Sequence, residues 1–293
     1  TPSTSSLLRR RVGTDRDRAV KRANALLGND HRWLRVLDSL GSEGGSQPSP
    51  IPIPRPLWLG SNDRSKAHVL VMECIGPSLN QLLLFCGNSF SLHTTAMLAI
   101  RCMELLEALH DQNVRHGNVT PSHILVRDGT LHLINFAHAA QVNPKIPVPG
   151  SAFPKMGRQP SQGPRTVGRT PLHLEATSDR LIFASINATM GHDLSRRDDL
   201  ESLGYMLWYL RHGGLPWIGQ TLTARQLAEE KKRFCQDTSN TPPIHFHHFL
   251  KQARALRREE RPDYGSMKGL FGRLMSEKGL DSAAYDWAAE IVT

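Results

Sequence analysis

The sequence predicts an α+β chain, with its principal strands in the first third and helices dominating the rest. Three observations carry this. A continuous apolar run, His68–Cys74 (HVLVMEC), has the length and composition of a buried strand, and the short apolar segment Pro56–Gly60 makes a pair with it. After Gly76-Pro77-Ser78 the apolar spacing lengthens to three or four residues, the period of a helix. The 293 residues are 39% hydrophobic and 22% charged, enough apolar content for one large domain or two lobes.

In chain order, residues 1–14 are rich in Ser, Thr and Arg and read as a flexible arm. Val20, Ala23 and Leu27 fall three or four apart, with Asp15 and Asp17 where a helix dipole favours negative charge, so a helix is predicted over Asp15–Leu27. Residues 41–56 (GSEGGSQPSPIPIPRP) form a Gly/Ser-rich, then Pro-rich connector. The strand pair follows and closes a first unit at residue 75. Residues 76–293 make a second, helical unit. Helices are predicted over Leu79–Cys86 and over Leu92–Gln112, where Met97, Ile100, Leu105 and Leu109 share a side. His123–Val126 and Leu131–Phe136 flank Arg127-Asp128-Gly129, a hairpin signal. Residues 141–182 are rich in Pro, Gly and Arg and read as a long loop. Leu200–Leu210 is apolar on nearly every face, as in a central helix. Amphipathic helices are predicted over Thr223–Phe234, His245–Leu256 and Tyr264–Met275.

Net charge is +9, which favours acidic partners: acidic or phosphorylated proteins, anionic surfaces and, on charge alone, nucleic acid. The basic residues are scattered, which is also the pattern of a solvated surface. No apolar run is long enough to cross a bilayer as a helix, and no signal peptide is visible. Cys74, Cys86, Cys102 and Cys235 stand far apart without a CxxC pair, and read as reduced thiols of a cytoplasmic or nuclear protein. The chain begins Thr-Pro-Ser rather than Met, the mark of a fragment or processed product.

Three strings, in order, resemble the casein kinase 1 and vaccinia-related kinase clan. VMECIGPSL (Val71–Leu79) is similar to its hinge and following turn. FASINATMGHDLSRRDDLESLGYMLWYL (Phe183–Leu210) carries a Ser-Ile-Asn element where most protein kinases have Ala-Pro-Glu. LPW (Leu215–Trp217) is followed by REERPDY (Arg258–Tyr264) and YDW (Tyr285–Trp287). The resemblance implies a bilobal protein kinase-like fold with a reduced N-lobe, residues 15–75, and a mainly helical C-lobe, residues 76–293. It also implies that Asp199 ties its helix to the catalytic-loop backbone, that Phe136 is structural, and that Met72, Glu73, Cys74 and Leu125 line an adenine pocket.

Measured against that pattern, the chemistry is depleted. The catalytic-loop equivalent is His116–Val126 (HGNVTPSHILV). His116 is kept, and Gly117 in place of Arg also occurs in active members of the clan. Asn118 stands where the aspartate base belongs, and an amide cannot take a proton from a hydroxyl at neutral pH. Losing a positioned base costs on the order of 10²–10⁴ in rate. Thr120 replaces the lysine that contacts the transferred phosphate, and His123 replaces the asparagine that holds the second Mg²⁺. Asn135-Phe136-Ala137 replaces Asp-Phe-Gly, so the carboxylate on which Mg²⁺ depends is a neutral amide. The predicted helix over Asp15–Leu27 holds no glutamate. The residues before it are too few for a Gly-rich loop and three strands, which take roughly 35 residues, and no Gly-x-Gly-x-x-Gly or Val-Ala-Ile-Lys string occurs.

These replacements predict a degenerate, pseudokinase member that scaffolds or regulates a protein partner, either an active kinase of its own clan or an acidic or phosphorylated protein. No catalytic residue, Mg²⁺ or other cofactor is expected, and ATP would bind weakly at most. A divergent active Ser/Thr kinase working from the same site with His116 is the alternative, and a structural subunit of a large assembly is the third reading. Arg165, Arg169, Arg180 and Arg225 are the candidate anion- or partner-binding residues. His245, His247 and His248 (IHFHHF) lack the further ligand that a zinc site requires and read as a helix start.

Overall fold

The computed structural model describes residues 18–23, 32–34, 51–61, 68–143, 173–175, 179–236, 244–280 and 284–290. The expected arm 1–14, the Gly/Ser-rich half of the connector, and Arg165 and Arg169 lie outside the described residues.

Three antiparallel strands form the first layer, in the order β1 (Arg18–Ala23), β3 (His68–Glu73), β2 (Pro56–Ser61). β3 is central and apolar, with Leu70 wholly buried and Val71 and Met72 nearly so. β2 begins at Pro56, where the missing N–H costs least, and its register slips between Pro56 and Trp58. The helix predicted over Asp15–Leu27 is corrected here: Arg18–Ala23 is a strand. The reason is tertiary. With β2 on one side only, β3 would leave its other row of N–H and C=O groups unpaired, and β1 satisfies them from Arg18 opposite Glu73 to Ala23 opposite His68. Residues 32–34 are helical, with Trp33 and Leu34 buried. Ile51 is also wholly buried, so the Pro-rich end of the connector packs into the core although it has no regular structure.

The helical part begins at α1 (Leu79–Phe85), where Ser78 and Gln81 form a reciprocal cap, and continues with α2 (Leu92–Asp111), capped by the Ser91 hydroxyl. β4 (Val114–Arg115) pairs with β7 (Ala140–Gln141), and between them lies the hairpin β5 (Ile124–Arg127) and β6 (Thr130–Leu133). Asp128 and Gly129 at its tip both have positive φ, as a tight hairpin turn requires. The stretch 141–182, read as one loop, contains β8 (His173–Glu175) and most of α3 (Asp179–Phe183); β8 pairs with β9 (Thr221–Thr223). Then come α4 (Ile186–Thr189), α5 (Arg196–His212), α6 (Ala224–Gln236), α7 (His245–Ala255), α8 (Tyr264–Lys278) and α9 (Asp286–Glu290).

α2 packs against α5 and α8, and α5 against α7. Leu200, Leu203, Tyr205, Met206, Leu207 and Leu210 of α5 are wholly buried, as its all-round apolar sequence predicts. Among the described residues no helix is long and apolar enough to cross a membrane.

Candidate functional site

The candidate site is built where β4 and β7 bring the segment after α2 against the segment after β6. α2 ends at Asp111, and Asn113 turns the chain at φ 60°. Its side chain exchanges two hydrogen bonds with the backbone of Asn143, at 2.8 and 2.9 Å. That pairing sets His116–His123 beside Asn135–His138.

Asp199, in the first turn of α5, anchors the loop from behind. Its Oδ2 accepts from the His116 amide at 2.7 Å and its Oδ1 from the Gly117 amide at 2.7 Å; His110 Nε2 donates to Oδ2 at 2.8 Å. The other His110 nitrogen bonds to the Tyr264 hydroxyl. Burial opposes ionisation of Asp199, but the bond from His110, the nearby imidazoles and the Gly117 amide outweigh it and hold the carboxyl below its usual range. His116 is wholly buried, donates from Nε2 to Ile134 O at 2.9 Å, accepts the Asn118 amide at Nδ1 (3.3 Å), and meets the buried Phe136 ring edge-on at 5.1 Å.

The replaced positions bond to one another. His123 Nδ1 donates to the Asn118 carbonyl at 2.9 Å and lies 3.0 Å from the Thr120 hydroxyl. Its Nε2 accepts from Asn135 Nδ2 at 2.6 Å. Thr120, His123 and Asn135 are thus one hydrogen-bonded unit centred on a single imidazole, which also bonds the main-chain carbonyl of Asn118. Asn135 is left-handed (φ 67°), a conformation Asn tolerates better than most side chains. The four offer amides, a hydroxyl and an imidazole, with no carboxylate, and the nearby Asp199 carboxylate already accepts three N–H groups. His138 sits close by; burial, with Arg180, His116, Arg115 and His123 around it, pushes it down to about 4.

Gly117 is explained by space. It has φ +75°, and a Cβ there would lie 2.6 Å from Arg115 Nη1 and 2.7 Å from His138 O. Arg115 runs its guanidinium through this gap to donate to His138 O at 3.2 Å. No local string marks Arg115; only the folded loop does.

Of the expected adenine residues, Met72 and Glu73 lie at the end of β3, Cys74 follows it, and Leu125 lies in β5. Met72 is buried at the end of β3, and Glu73, Cys74 and Leu125 are half-buried. Val126 N donates to Pro77 O at 2.9 Å, and Ser78 bridges to Leu125. Two residues were not singled out from sequence. Arg127 donates to Ile75 O at 3.0 Å and to Cys74 O, and pairs with Glu73 at 2.6 Å. Lys21 stands in β1, in register with Leu70 of the central strand. The helical reading of Asp15–Leu27 concealed it, although Ala19-Val20-Lys21 is a fair match to the end of a strand-lysine string.

The Ser-Ile-Asn element is pinned to α5. Asp198 accepts from the Ser185 hydroxyl (2.8 Å) and Asn187 Nδ2 (3.0 Å), and Glu201 accepts from the Ile186 amide (3.0 Å) and the Tyr205 hydroxyl (2.7 Å). Lys231 Nζ donates to Leu181 O (2.8 Å) and Ala184 O (2.6 Å), and Trp217 Nε1 to Ile182 O (2.9 Å). Arg180 is exposed in α3 and Arg225 is exposed in the first turn of α6. The three histidines of IHFHHF diverge: His245 faces Glu277 at 3.6 Å, His247 packs on Trp208, and His248 is exposed. Among the described residues no group of three or more His, Cys, Asp or Glu could hold a metal ion.

No family model matches the chain. Over 275 residues, 89% of its length, it is 31% identical to the casein kinase I homolog RAG8 of Kluyveromyces lactis. It spans 46% of that protein, less than half. This similarity supports a casein kinase I-like family for the chain and suggests a bilobal kinase fold for its α+β architecture.

Proposed function

We propose that this chain is a catalytically inactive, casein kinase 1-like module that binds a protein partner as a scaffold or regulator. The observation that carries the reading is the bonded unit of Thr120, His123 and Asn135, which His123 ties to the Asn118 main-chain carbonyl, together with the amide side chain at position 118. Protein kinases need at these positions a base, a phosphate-contacting lysine and two oxygen ligands for Mg²⁺. Here the base is an amide, and the metal positions are an imidazole and an amide that bond each other. That donor set does not fit Mg²⁺, which takes carboxylate and phosphate oxygens. The net charge of +9, with Arg180 and Arg225 exposed, fits an acidic or phosphorylated protein partner.

One observation favours a second reading, a divergent active Ser/Thr kinase that uses ATP. Lys21 lies in a strand of the small sheet, the kind of place from which a kinase lysine reaches nucleotide phosphates. A radiometric assay on casein and on the chain itself, with Mg²⁺ and with Mn²⁺, separates the two. No phosphate incorporation above the level of an Asn118→Ala variant is expected. Incorporation that disappears in Asn118→Ala, or in Lys21→Met, would establish the second reading instead.

A further inference from the structure

We propose that Arg127 is an intramolecular latch that fastens the hinge at Glu73–Ile75 to the β5–β6 hairpin and so fixes the three-stranded sheet against the helical part. β5 alternates: Ile124 and Val126 are buried, while Leu125 and Arg127 share its other, half-buried face. From there the guanidinium spends each of its nitrogens on the hinge. Nε donates to Ile75 O at 3.0 Å, Nη2 to Cys74 O, and Nη1 to Glu73 Oε1 at 2.6 Å. Glu73 carries the connection onward to the start of the sheet, because its amide donates to Arg55 O at 2.9 Å.

The backbone leaves the hinge no slack. Val126 N bonds to Pro77 O, and a Cβ at Gly76 would sit 2.2 Å from Val126 O. Two more ties end on the same stretch of chain: Leu133 N donates to Pro52 O at 3.0 Å, and Trp33 Nε1 to Ala139 O at 3.0 Å. Hinge, connector and the helical residues 32–34 are each stitched to residues 126–139.

An exposed ion pair alone would not make a latch. The Arg127 and Glu73 side chains are 36% and 39% exposed, and such pairs are weak and screened by salt. Two of the three bonds, however, go to main-chain carbonyls, which salt does not screen away. They also need the planar fork of arginine, which a lysine ammonium cannot reproduce.

Hydrogen exchange on the whole chain, read on peptides covering 69–78 and 124–134, tests this. In Arg127→Ala, exchange in both peptides should rise about tenfold. Arg127→Lys should behave like Arg127→Ala, within about threefold, and Glu73→Gln like wild type. Wild type should keep its protection in 1 M NaCl. The latch is refuted if Arg127→Ala exchanges within twofold of wild type. It is equally refuted if Arg127→Lys keeps wild-type protection, or if salt alone removes it, since either marks a plain ion pair. Should Arg127→Ala fail to fold, Arg127→Lys carries the same decision.

Discussion

Asp199 shows how much one buried carboxylate organises. It receives the amides of His116 and Gly117 and the His110 ring, and so holds the loop and the α2–α5 contact together. Asp199→Ala removes the charge and strands three donors, and should cost about 3–5 kcal/mol in urea unfolding. Because the folded carboxyl lies below its unfolded value, its stabilisation is fully present above about pH 4 and fades as pH falls further. The difference between wild type and Asp199→Ala should therefore shrink as pH falls below about 4.

Lys231 titrates in the other direction. It is wholly buried, donates to Leu181 O and Ala184 O, and lies over the Tyr205 and Trp217 rings, yet burial pushes it down to about 7. The unfolded lysine keeps its proton to about 10.4. Between those values the unfolded chain binds more protons, so this group makes stability rise with pH; below about 7 the full cost of burying the ammonium is present. From pH 7 to 9, wild type should gain about 2 kcal/mol relative to Lys231→Met, as measured by urea titration of tryptophan fluorescence. A pH-independent difference would contradict this.

At the scale of elements, α5 is the best specified. Its apolar run, its acidic first turn (Asp198, Asp199) and Gly213 at its end (φ 75°) all point to the same helix. Gly204 then fixes how closely α7 can approach, because a Cβ there would lie 2.3 Å from Leu250 Cδ2 and 2.7 Å from its Cγ. Gly204→Ala should gain helix propensity but lose more to overpacking, a net destabilisation of about 1–3 kcal/mol by thermal unfolding. The β5–β6 hairpin was equally legible, from Asp128-Gly129 between two apolar segments. β1 was not. Val20, Ala23 and Leu27 satisfy a helical period, and nothing local to RAVKRA says that an unpaired edge of β3 awaits it.

Across the whole molecule, the sequence by itself determined the pairing of β2 with β3, the β5–β6 hairpin, the buried helix α5, and that positions 118 and 135 carry neutral amides. These follow from residue type and short-range spacing. Capping, hairpin turns and apolar period act over a few residues, and an amide is not a base in any fold. Only the tertiary structure decided that Arg18–Ala23 is a strand carrying Lys21, that His123 joins Asn118 to Asn135, that Arg115 fills the space beside Gly117, and that Arg127 grips the hinge. Each of these depends on partners that are distant in sequence or reached only around a folded loop. A side chain's hydrogen-bond capacity is written in the sequence, but the group that satisfies it is chosen by the packing that brings the two together.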